Sequence, residues 1–161
     1  MRKLAAFVFL AACFVNLHAL NIVNFTTEDG TGRFDFGPFE IRNTEFEDNT
    51  LTMPLERDEY KNITVLTRDF YNKLAQCFDK CSYAPAGEIK FEVTDVAAAG
   101  KIFLATVTFD GEMGVTFVVS VGEGTPRVRR PSDFIFTDKD FEKNVKAKIR
   151  EAVLASGKQT K

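Results

Sequence analysis

Histidine is almost missing from this sequence: its 161 residues contain one, His18. Tryptophan is absent, and cysteine, methionine and tyrosine occur three times each. The lone histidine sits in a segment that reads as removable, so its scarcity has chemical consequences. Without it the chain has no Ser-His or Cys-His nucleophile, no His-ligated zinc, copper or iron site, and no histidine pH switch. With tryptophan absent, 17 phenylalanines must fill most of the large core positions.

The removable segment is the N-terminus. Arg2 and Lys3 give a positive start, Leu4 to Val15 an uninterrupted apolar run, and Asn16-Leu17-His18-Ala19 a more polar stretch ending in a small residue. That order is the one a secretory signal peptide needs, and the run is shorter than the ~20 residues of a membrane-spanning helix. Residues 1–19 are expected to be a signal peptide cut after Ala19, residues 20–157 a single α+β domain, and residues 158–161 a mobile tail. The expected location is secreted or periplasmic. A competing reading uses Leu10-Ala11-Ala12-Cys13, which resembles the lipobox of bacterial lipoproteins. It would make Cys13 the lipidated first residue and leave the domain anchored to a bacterial membrane, the one membrane association expected.

Loss of Arg2 and Lys3 moves the net charge from −2 to −4. Such a balance gives no reason to expect nucleic acid as a partner. A hydrophobic content of 45% places the chain among folded domains, and its length suffices for one core without a metal staple.

Along the chain, Asn21–Thr27 reads as a strand, Glu28 to Gly32 as a turn, and Arg33–Ile41 as a second strand interrupted at Gly37-Pro38. Asn43 to Asn49 is acidic and reads as a loop or frayed edge. Leu51, Met53 and Leu55 alternate as a short edge strand, Arg57–Lys61 is a charged linker, and Ile63–Leu66 is extended. Phe70, Leu74, Cys77, Phe78 and Cys81 recur at helical spacing after the N-cap Thr67, predicting a helix over Arg68–Cys81. Glu88–Val96, Lys101–Phe109 and Met113–Val121 alternate as three strands, with Ala97–Gly100 and Asp110-Gly111 as turns. Arg127–Arg130 reads as a last strand. A second helix opens on a capping box-like Thr137-Asp138-Lys139-Asp140. It buries Phe141, Val145, Ile149, Ala152 and Val153 and closes at Ser156-Gly157. The fold class that follows is α+β: an antiparallel sheet, made of an N-terminal hairpin and a three-strand meander, with two amphipathic helices on its apolar face.

Chemistry-bearing candidates are few. Cys77 and Cys81, four residues apart on one helix face, read either as a local disulfide or as two buried thiols. Asp35, Glu40, Glu45, Glu47 and Asp48 supply carboxylates of the kind paired in glycosidase-type acid–base work, without a motif around any of them. Arg127, Arg129 and Arg130, with Lys143, Lys146 and Arg150 on one side of the second helix, form a candidate patch for an acidic partner. Asn24-Phe25-Thr26 and Asn62-Ile63-Thr64 fit the N-glycosylation pattern. No catalytic residue, cofactor or metal site is expected. The leading functional expectation is an exported, non-catalytic binding or accessory domain for a protein or small ligand. The alternatives are a carboxylate-dependent extracellular hydrolase and a carrier of an apolar ligand.

Overall fold

The computed structural model describes residues 19–55 and 62–158. Residues 1–18 with Cys13 and His18, the whole charged linker Arg57–Lys61, and residues 159–161 lie outside the described residues, so the signal-peptide, lipidation and tail readings are not addressed by it.

Ten strands and two helices follow in the order β1 (Asn24–Glu28), β2 (Thr31–Asp35), β3 (Phe39–Glu47), β4 (Thr50–Thr52), β5 (Ile63–Val65), α1 (Arg68–Lys80), β6 (Phe91–Ala99), β7 (Ile102–Phe109), β8 (Met113–Ser120), β9 (Arg127–Arg129), β10 (Phe134–Phe136) and α2 (Lys139–Lys158). All strand pairs are antiparallel. The α+β class with two helices is as expected, but the strands form two sheets rather than one. In the first, β1-β2-β3 is a meander, and β10 and β4 share the free side of β3. In the second, β6-β7-β8 is a meander, and β9 and β5 share the free side of β8.

Turn chemistry sets the register. Asp29-Gly30 and Asp48-Asn49 all have positive φ and close two-residue hairpins, the geometry that matches strand twist. Gly37 has φ +95°, and a Cβ there would lie 2.7 Å from Ala86 Cβ, so this turn requires glycine.

The Asn43 to Asn49 segment is a strand and turn, not the expected loop. Gly32 pairs with Thr44 and Phe34 with Ile41, so Arg33 faces both Arg42 and Asn43. Asn43 takes φ +56° to make this bulge. The extra residue shifts the alternation. Phe39 and Ile41 point inward before it, Thr44 and Phe46 after it. That phase change hid the strand from a period-two reading. The three alanines Ala97 to Ala99 likewise belong to β6, paired with β7, and the chain turns at Gly100-Lys101 instead. β10 was not anticipated; three residues are too few to show a period.

Thr67 caps α1 as expected, accepting from Phe70 N. For α2 the cap is Asp138, whose Oδ1 accepts from the backbone N of Asp140 (2.8 Å) and Phe141 (2.9 Å). Thr137, expected to open the capping box, donates instead to Gly37 O. α2 runs past the expected close at Ser156-Gly157 to Lys158.

Phenylalanine rings join the layers. Phe39 and Phe134 of the first sheet meet Phe109 and Phe117 of the second at centroid distances of 5.0–5.8 Å. From α1, Phe70 touches Phe36, and Phe78 touches Phe25, Phe34 and Phe46. From α2, Phe141 touches Phe39, Phe91, Phe109 and Phe136. Val145, Ile149 and Val153 complete its buried stripe, while Val121, expected inward, lies beyond β8 and is exposed.

Candidate functional site

The outer face of the first sheet carries its polar side chains in register. Thr26 pairs with Arg33, and Asp35 with Glu40, so β1, β2 and β3 place threonine, arginine and glutamate side by side. Glu40 is 2% exposed and is the one buried charged side chain among the described residues. Arg33 donates to its Oε2 through Nε at 2.8 Å and also through Nη2. Arg42 approaches Oε1 with Nε at 2.7 Å and Nη2 at 2.5 Å. Each guanidinium therefore holds one carboxylate oxygen.

An isolated buried carboxylate would cost several kcal/mol. Two charge-assisted partners satisfy both of its oxygens. The arginine side chains remain about half exposed, at 53% and 46%. One carboxylate between two guanidinia leaves the cluster itself with a net positive charge, and the Glu28 carboxylate lines the same cleft. Both arginines border a cleft of about 210 Å³ shared with Thr26, Glu28, Thr31, Gly32 and Asn43. Asn43 is itself fixed by donating from Nδ2 to Asp133 Oδ1 at 2.6 Å. The Nε and Nη2 atoms of both arginines are turned to Glu40, so an anionic group entering this cleft would meet the remaining guanidinium N–H donors, chiefly those on Nη1, held in place by that contact. Preorganisation lowers the ordering cost of binding.

The carboxylates singled out in the sequence are spread along β2, β3 and its hairpin. Glu40 is committed to the two arginines. Asp35 Oδ1 accepts from Gly37 N at 2.8 Å and holds the turn. Glu45, Glu47 and Asp48 are exposed along β3 and its hairpin.

The six basic residues of the expected acidic-partner patch are divided. Val128 points into the core, so Arg127 and Arg129 project from the opposite face of β9. Arg130 donates through Nη1 to the carbonyls of Pro131, Ser132 and Phe134. Arg150 donates from Nε to Pro126 O at 3.0 Å, and Lys146 pairs with Glu142 at 2.5 Å. Lys143 is exposed on α2. Half of the set is thus spent inside the chain.

Cys77 and Cys81 are joined in a disulfide, with Cys81 just past the helix end in extended backbone. A disulfide is compatible with an oxidising compartment. No helix among the described residues is long and apolar enough to cross a membrane. Of the two glycosylation patterns, Asn24 is exposed and Asn62 is 6% exposed. A separate, apolar cleft of about 350 Å³ is lined in part by Leu51, Met53, Leu55, Ile63, Val65 and Tyr71.

Arg33 and Arg42 were not singled out in the sequence. Their signal is weak there: each stands at an outward position beside inward phenylalanine or isoleucine. Only the bulged register brings the two together over Glu40. Comparison with protein-family models, with curated proteins and with solved structures gives no match for this chain.

Proposed function

We propose that this chain is an exported, non-catalytic binding domain that takes a ligand bearing a carboxylate or phosphate on Arg33 and Arg42. The observation that carries the reading is the Glu40 clamp, a buried carboxylate that fixes two half-exposed guanidinia lining a polar cleft. Export is supported by the signal-like N-terminus and by the compatibility of the Cys77–Cys81 disulfide with an oxidising compartment. The hydrolase alternative has less support, since Glu40 is bound to arginines at both oxygens. The carrier alternative would place its ligand in the apolar cleft beside Tyr71.

Titration with inorganic phosphate at low ionic strength, followed through the arginine Nε–H resonances, tests the site. Saturable shifts at Arg33 and Arg42 are expected. Arg33→Gln and Arg42→Gln should each weaken binding at least about tenfold, as loss of one charge-assisted hydrogen bond implies. Arg127→Gln should leave binding unchanged. Equal shifts at Arg127 and Arg129, or no effect of the two cleft substitutions, would remove the proposal.

A further inference from the structure

Leu20 is fully buried while Ala19 beside it is exposed. The boundary between them is the one the sequence marks for signal cleavage. Leu20 N lies 2.7 Å from Glu112 Oε2 on the β7–β8 loop. Leu20 O accepts from Lys73 Nζ of α1 at 2.5 Å. The chain that follows is tied down at every step. Asn21 Nδ2 donates to Pro85 O at 3.0 Å, Ile22 O accepts from Ala84 N at 3.0 Å, and Val23 N donates to Asp35 O at 2.8 Å. Residues 20–23 are therefore threaded into the core, and their first nitrogen is aimed at a carboxylate.

We infer that cutting the chain after Ala19 completes this fold, because the freed α-ammonium of Leu20 becomes the buried partner of Glu112. The inference rests on the export reading above. In the cut, water adds across the Ala19–Leu20 amide. The hydroxyl goes to the Ala19 carbonyl and a hydrogen to the Leu20 nitrogen, which takes one more proton from solvent. A neutral amide donor is thereby replaced by a full positive charge with three N–H donors. Because Leu20 is buried, a folded chain would not present this bond to a peptidase; cleavage precedes folding.

The electrostatics around Glu112 give the inference a sign. With the chain uncut, burial holds the Glu112 carboxyl above its ordinary value, opposed by the Leu20 N–H and Lys73 and reinforced by Asp110 and Asp69. The uncut native state thus holds a proton more tightly than the unfolded chain. Its stability falls as pH rises from the ordinary carboxylate value through the raised one. In the cut chain the ammonium draws Glu112 down from its raised value, and the carboxylate pulls the ammonium up against its own burial and the nearby Lys73. That contribution is present between the ordinary carboxylate and ordinary amine values. It is lost as pH falls far enough to protonate Glu112, and as pH rises far enough to deprotonate the amine.

Two measurements test this separately. Intact mass of the protein exported by a secretory host should correspond to a chain starting at Leu20. A lipid increment at Cys13, or any other first residue, overturns the cleavage reading and the pair with it. Independently, protein made to begin at Leu20 is compared with protein that retains Ala19. The Leu20 α-amine should titrate at least about one unit higher with Glu112 present than in Glu112→Gln. Its acylation at neutral pH should be slowed at least about tenfold. The Ala19 form should melt lower, and Glu112→Gln should abolish the difference between the two. An amine value unmoved by Glu112→Gln, with equal melting of the two forms, overturns the pairing even if the exported chain starts at Leu20.

Discussion

Glu40 and Thr44 stand four residues apart on β3, and burial treats them differently. Glu40 lies on the outer face and has both oxygens satisfied by arginine. Thr44 follows the bulge, points inward and is fully buried, and its Oγ1 has no hydrogen-bond partner among the described residues. An unmade hydrogen bond at a buried hydroxyl costs on the order of 1–3 kcal/mol. Thr44→Val keeps the β-branched shape suited to a strand and removes the stranded oxygen. It is expected to stabilise the fold by about 1 kcal/mol, seen as a higher denaturant midpoint at unchanged slope. A neutral or destabilising result would mean that the hydroxyl has a partner. Neither role was legible in the sequence. Glu40 read as one carboxylate among five and Thr44 as part of a loop, because the bulge at Arg42-Asn43 breaks the alternation from which facing is inferred.

At the scale of the element, the two helices were legible to different depths. The α1 stripe and its cap are local facts, since Thr67, Phe70, Leu74 and Cys77 interact within two or three turns. The start of α2 is not purely local. Thr137 could serve as a cap by type, but its hydroxyl is drawn to Gly37 O and the backbone N of Thr137 and Asp138 to Pro38 O. The cap therefore moves to Asp138. Asp138→Ala should cost about 1 kcal/mol. Thr137→Val should not fray the helix, though it loses the contact to the Gly37 turn. Amide hydrogen exchange in the first turn of α2 separates the two: protection should fall for Asp138→Ala alone.

At the scale of the molecule, the core is a phenylalanine assembly rather than a sheet covered by helices. Phe109 lies at its junction, with ring contacts to Phe39, Phe134, Phe91 and Phe141, so both sheets and α2 meet on one side chain. Phe109→Ala should cost about 3–5 kcal/mol, against a whole-domain stability of ~5–15 kcal/mol. Thermal unfolding followed by far-ultraviolet circular dichroism should show the loss. Phe46→Ala, at a half-buried position touching Phe78, should cost less. A similar cost at both positions would count against Phe109 as the junction.

The α+β class, the helical stripes, most strands and the hairpins built on Asp-Gly are readable from the residues, because they follow from periodicity and from backbone preferences that act over a few residues. The residues also mark Ala19-Leu20 as the expected point of cleavage. The division of the strands into two sheets and the convergence of Arg33 and Arg42 on Glu40 emerge only in the folded chain. The same holds for the buried nitrogen of Leu20 meeting Glu112. Each of these joins residues distant in sequence, or through a bulge that resets the phase, and no local period encodes such a register.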